Sequence, residues 1–251
     1  MNGKSKSLPI FPEMTVRELV LQYPQLRAVL DKLNIDYCCG GLHPLLKAAG
    51  KAGLEWSQVL EELENAWAVA ASSPPSVNWN LEPLLELADH ILDVHHSFTR
   101  AQLQRLEPLL TKVAKAHADH HGKMLAELRR IFDSLAAELM PHLEKEEKVL
   151  FPAIKQVVAI AESDSACSAC QRLALEAPIR QMMFEHDNAG QCLADWRNLT
   201  GNYQLPEDAC MTFAALFEAM QELEADLHEH IHLENNILFP KSLQLESGLK
   251  K

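Results

Sequence analysis

From about residue 80 onward, apolar side chains recur every three or four positions, the period of helices that bury one face. Alternating apolar and polar runs and Asn-Gly hairpin signals, the marks of strands, are absent from this stretch. The pattern lapses near residues 114–118, 162–169 and 200–206. It predicts four long helices at about 81–112, 118–160, 170–198 and 206–244, and an all-α fold in which they form an antiparallel four-helix bundle. The third helix shows its apolar seam most clearly, through Ile179, Met182, His186, Ala189, Leu193 and Trp196, with a histidine inside the seam. The first helix carries two overlapping seams, Leu85, Leu92, Thr99 and Leu106 beside Leu84, Ile91 and Phe98. Periodicity therefore does not choose between His95 and His96 as the inward histidine.

The segment upstream is built differently. Thr15 followed by Glu18 is a capping-box pattern that starts a short helix. A second helix is expected from about Pro24 to Leu33, and further helical stretches at Leu45–Ala49 and Leu54–Ala70. Between them, Asn34-Ile-Asp-Tyr-Cys-Cys-Gly-Gly41 breaks the chain. Ser72-Ser-Pro-Pro-Ser-Val-Asn78 reads as a linker, which divides the chain into a small helical domain at 8–71, a linker at 72–80 and the bundle at 81–245.

Composition narrows the possible partners. Of 251 residues 47% are hydrophobic, enough for a globular core, and the net charge of −12 opposes the phosphate backbone, so no nucleic-acid partner is expected. No run approaches the roughly 20 apolar residues of a membrane span, and Met1-Asn-Gly-Lys-Ser-Lys lacks an apolar signal core, which makes a cytoplasmic protein away from membranes the expectation. In that setting the six cysteines suggest thiol or metal chemistry ahead of a disulfide framework. The twelve histidines concentrate at 90–142 and 186–232.

Within those two regions lies a repeat. His142-Leu-Glu-Lys-Glu146-Glu-Lys-Val-Leu-Phe-Pro152 aligns without a gap on His230-Ile-His-Leu-Glu234-Asn-Asn-Ile-Leu-Phe-Pro240, displaced by 88 residues. Residues four apart on a helix share a face, so each His-x3-Glu can turn an imidazole and a carboxylate toward one ion. A lone pair of this kind is usually solvated; a duplicated one is a candidate half-site. His186 and either His96 or His95, on the other two helices, complete a set of four imidazoles and two carboxylates. Such a nitrogen and oxygen set suits iron or manganese, and carboxylates able to bridge favour two non-haem irons. The Leu-Phe-Pro tails read as core packing and helix-end punctuation. Of the other histidines near these positions, His90, His117, His120, His121, His228 and His232 together with whichever of His95 and His96 points away, most are expected at the surface. Pro141 is expected to kink the second helix, with a path to the metals as one consequence.

With these residues in view the chain resembles the RIC (repair of iron centres) proteins, through Asp36-Tyr37-Cys38-Cys39-Gly40-Gly41, Glu185-His186-Asp187 and the two His-x3-Glu segments. The likeness runs from about Val16 to Pro240. It implies a hemerythrin-like bundle holding two irons, bridged by carboxylates or as Fe–O–Fe, and selects His96 over His95. By the same resemblance His96, His142, His186 and His230 are terminal ligands, Glu146 and Glu234 bridge, and Glu138 and Glu185 are carboxylates supporting the ligands. The function it implies is repair of iron–sulfur clusters damaged by nitrosative or oxidative stress, by iron donation or by nitric oxide reduction. Implied partners are damaged iron–sulfur proteins or cluster-assembly proteins, together with self-association as a homodimer. Oxygen-carrying hemerythrins resemble the bundle too, which leaves a module that binds or senses oxygen or nitric oxide as the alternative; their histidine-richer ligand sets make it the less favoured one.

Two thiol motifs remain. Cys38 and Cys39 are poorly placed to bond each other, and Gly40-Gly41 after them suggests thiols exposed for exchange of metal, electrons or a disulfide. Cys167-Ser-Ala-Cys170 is a CxxC without a second pair, a weak metal or redox signal.

Overall fold

A computed structural model describes residues 9–70, 77–163 and 174–249. The CxxC at Cys167 and Cys170 lies outside these residues. The chain divides into two compact units, Met1–Glu82 and Pro83–Lys251.

In the first unit, α1 (Val16–Gln22) starts as its capping box requires. Thr15 Oγ1 accepts from the Glu18 backbone N–H at 3.1 Å, and Glu18 Oε2 accepts from the Thr15 N–H at 2.8 Å. A 3-10 turn at Pro24–Leu26 leads into α2 (Arg27–Lys32), where one longer helix was expected; α3 (Leu45–Lys51) and α4 (Trp56–Ala70) follow. Leu19, Leu26, Leu30, Leu45 and Leu63 are fully buried and form the core of this unit.

The second unit is the four-helix bundle. Its first helix is α5 (Leu84–His90), a π-helical segment (Ile91–His96) and α6 (Ser97–Ala116) in continuous succession. The second is α7 (Ala118–Lys145), a π segment (Glu146–Leu150) and α8 (Phe151–Glu162). The third is α9 (Glu176–Leu199) alone, and the fourth is α10 (Met211–His232), a π segment (Leu233–Leu238) and α11 (Phe239–Leu249). Helix α6 packs on α7 and α10, α7 on α9, and α8 on α5 and α11. The fourth helix starts five residues later than expected because Leu205–Cys210 is spent on a loop, in which Cys210 is the extended N-cap. Helix α7 continues through Pro141, which is exposed.

One continuous core runs through the half of the bundle containing Leu106, Leu128, Leu193 and Phe213, with Phe132 and Trp196 stacked at 6.5 Å. No helix among the described residues is long and apolar enough to cross a membrane.

Candidate metal centre

Three of the four bundle helices depart from α-helical hydrogen bonding, and each departure contains a ligand candidate: His96, Glu146 and Glu234. An i→i+5 segment rotates the residues beyond it relative to a regular helix, and such segments gather at functional sites. Here they turn both carboxylates and His96 into the bundle axis, where His142, His186 and His230 already point. All six side chains are at most 3% exposed.

Two pockets result. His96, His230, Glu146 and Glu234 surround one, and His142, His186, Glu146 and Glu234 the other, with the ligand atoms of each within 4.8 Å of one another. Both carboxylates belong to both pockets. Glu146 faces His96 Nε2 through Oε2 and His142 Nε2 through Oε1, each at 3.4 Å. Glu234 faces His186 Nε2 through Oε2 at 3.0 Å and His230 Nε2 through Oε1 at 3.3 Å. The histidine and carboxylate of each His-x3-Glu segment thus share one pocket, and the carboxylate spans both.

The test of whether cations belong there is electrostatic. Both oxygens of Glu146, both oxygens of Glu234 and the Nε2 atoms of His96 and His230 are buried with no hydrogen-bond partner. Orphaned acceptors of this kind are rare and costly. Burial, aided by the adjacent Glu234 charge, pushes the Glu146 carboxyl well above its usual range. Burial likewise lowers His96 and His142 to about 4, with His230 and His186 respectively adding to the effect, so both imidazoles are neutral and offer a lone pair. Divalent cations between the carboxylates would satisfy these six atoms. The absence of thiolate from the set matches iron or manganese better than structural zinc.

The ligands are oriented from outside. His96 Nδ1 meets Glu147 at 2.8 Å, and Arg100 holds Glu147 at 2.8 Å. His142 Nδ1 meets Glu185 at 2.8 Å, itself bonded by Lys145 and by Gln181 at 2.9 Å. His186 Nδ1 meets Asn235 at 2.9 Å. Such contacts fix which ring nitrogen faces the metal. His230 has a different neighbour: the His95 ring stacks on it at 5.6 Å, and Asp226 holds His95 Nδ1 at 2.9 Å. His95 and His232 are therefore buried, at 4% and 0% exposure, exceptions to the expectation that most of these histidines lie at the surface.

Sequence reasoning missed Glu147 and Asn235, although the repeat pairs them: each directly follows a shared glutamate, and each bonds a histidine from another helix. Phe151 and Phe239, also paired by the repeat, pack against His96 at 5.8 Å and His186 at 6.0 Å. Their role is thus at the site as well as in the core. Glu138 is exposed and lines a narrow cleft whose other residues include His142, Glu185, His186 and His230. That cleft reaches His142, His186 and His230.

In the first unit, Asp36 Oδ1 accepts from the backbone N–H of Cys38 at 3.1 Å and of Cys39 at 2.9 Å, leaving the two sulfurs 3.8 Å apart. A Cβ on Gly40 would meet the Asp36 side chain at 2.9 Å, which explains glycine there. Cys38 is buried, and its hydrogen bond with Cys39, followed by burial, pushes its thiol well up. The expected pair of exposed thiols is thus one half-exposed thiol, Cys39, beside a protonated buried one.

The fold and the paired pockets define a hemerythrin-type metal-binding bundle. The hemerythrin HHE cation binding domain model matches residues 87–242, and ScdA_N, a domain of unknown function (DUF542), matches 12–67. The chain is 38% identical over 233 residues to the iron-sulfur cluster repair protein YtfE of Cronobacter sakazakii, covering 93% of this chain and 97% of that protein. It is 36% identical to the proteins of that name from Citrobacter koseri and Escherichia coli O17:K52:H18, covering 93% of this chain and 98% of each. The chain belongs to the hemerythrin HHE family and, within it, to the iron–sulfur cluster repair proteins.

Proposed function

We propose that the bundle holds two non-haem irons and that the protein serves the repair of iron–sulfur clusters damaged by nitrosative or oxidative stress. The observation that carries this reading is the pair of buried carboxylates, each spanning two imidazole pockets with all four oxygens unpartnered. His96 and His230 would bind one iron, His142 and His186 the other, with Glu146 and Glu234 shared. When bound, two irons supply redox chemistry toward small diatomic molecules and are also a source of iron for a damaged cluster.

Within that function, access favours consumption of nitric oxide over direct hand-over of iron. Every ligand is buried, and the cleft beside Glu138 has room for about one water-sized molecule, which suits a diatomic gas better than a protein donor group. Glu185 is held down to about 2 despite its burial, by Lys145, Gln181 and His142, so it stays charged at the cleft and keeps the His142 tautomer fixed. The clients in this reading are iron–sulfur proteins of the cytoplasm. The test follows recovery of activity by a nitric-oxide-damaged cluster protein after addition of this protein. The iron-loaded chain should restore it and the metal-free Glu146→Ala chain should not; full recovery with that variant overturns the reading.

A further inference from the structure

A second cluster of metal-binding side chains lies far from the paired pockets. His121 and His142 stand 21 residues apart on α7, about 31 Å along a straight helix. His117 is the residue before α7 and His121 lies four positions on, so the two imidazoles share a face. Both rest edge-on against Phe213 of α10, at 5.1 and 5.8 Å. Opposite them, the loop before α10 presents Asp208 and Cys210. His121 Nε2 is 2.8 Å from Asp208 Oδ1, and His117 Nε2 is 3.3 Å from Cys210 Sγ. Ligand atoms of His117, His121 and Asp208 lie within 4.8 Å of one another.

We propose that His117, His121, Asp208 and Cys210 form a separate binding site for one divalent transition ion of the zinc class. Three donors, two imidazoles and a carboxylate, already lie together, and the Cys210 thiol adjoins them through His117, so the set holds the donor types that zinc takes in four-coordinate sites. Bond lengths in such sites require ligand-to-ligand edges of about 3.3–3.6 Å. The histidine–cysteine edge already has that length, and the histidine–aspartate edge needs to open by only about half an ångström. The loop holding Asp208 and Cys210 is anchored upstream by the buried Tyr203 hydroxyl, which donates to Glu224 at 2.6 Å, and within itself by the Ala209 N–H on Pro206 O at 3.0 Å. Downstream it is continuous with α10. Asp208 and Cys210 are exposed, so this ion is exchangeable, unlike cations in the enclosed pockets.

The test titrates the iron-loaded full chain with cobalt(II), a spectroscopic stand-in for zinc, and counts bound cobalt after removing the excess. One cobalt per chain is expected beyond the iron, with tetrahedral absorption and a thiolate-to-cobalt charge-transfer band. His121→Ala and Asp208→Asn should lose that equivalent while keeping their iron, and Cys210→Ser should lose the charge-transfer band. No cobalt beyond the iron, a spectrum without the thiolate band, or wild-type uptake by a His117→Ala/His121→Ala chain overturns the proposal.

Discussion

Glu147 takes the Nδ1–H of His96 at 2.8 Å from the position directly after Glu146, and so determines that His96 turns Nε2 toward the shared carboxylates. Asn235, directly after Glu234, does the same for His186 at 2.9 Å. The two contacts are counterparts under the 88-residue repeat, one ionic and one neutral.

That difference is measurable. Replacing Glu147 with Ala frees the His96 ring and should weaken iron binding about 10–100-fold. Asn235→Ala should weaken it in the same direction and by less, because it removes a neutral partner. Competition with a coloured chelator reads both; equal affinity in wild type and Glu147→Ala would show that the contact does not orient the ligand.

Acid and alkali should act on the metal-free bundle through different groups. His96 and His142 fall from 6.5 to about 4 on folding, so their stabilising contribution is present above pH 6.5 and is lost as pH drops toward 4. Glu146 is raised above 4.5, so its contribution is present below that pH and is lost as pH rises. Urea midpoints of metal-free protein should therefore decline on both sides of a mildly acidic optimum. Glu146→Gln should remove the loss on the alkaline side alone, and an unchanged profile in that variant would contradict the assignment.

Leu128 and Leu193 are wholly buried in the core that excludes the metal pockets. Leu128→Ala should destabilise the bundle by about 2–5 kcal/mol in denaturant unfolding while leaving iron content unchanged. Loss of iron in the folded variant would show that core and site are coupled.

Tyr203 adopts a left-handed backbone, φ 59°, to bring its hydroxyl to Glu224, which Arg197 also holds at 2.9 Å. Tyr203→Phe removes one partner of a buried carboxylate and should reduce stability by about 1–3 kcal/mol. Asn202, also left-handed at φ 61°, is the opposite case: Asn202→Gly should be neutral or slightly stabilising in the same unfolding experiment.

The helices were legible because the apolar period of residues such as Ile179, Met182, Ala189 and Leu193 is set by burial along one face, which leaves a regular trace in any sequence. Five of the six converging side chains were legible too, four of them through the repeat and His186 through its seam. The choice between His95 and His96 was not, for a physical reason. Neighbours on an α-helix point about 100° apart, yet both are buried here, because they close a π-helical segment that no residue pattern encodes. The same irregularity hid Glu147 and Asn235, whose positions only make sense once the helix is overfilled by one residue. Burial of Cys38 was hidden for another cause: it depends on Asp36 folding back onto two backbone N–H groups in a loop of no regular period.

The sharing of both carboxylates between both pockets is the central feature, and iron counting on single variants tests it most directly. Wild-type chain purified without oxygen should carry about two irons. Glu146→Ala and Glu234→Ala should each lose both, because either carboxylate would be a ligand of both ions, whereas His230→Ala should retain about one at the His142–His186 pocket. Two irons retained in either glutamate variant, or loss of only one, would contradict the shared-carboxylate centre.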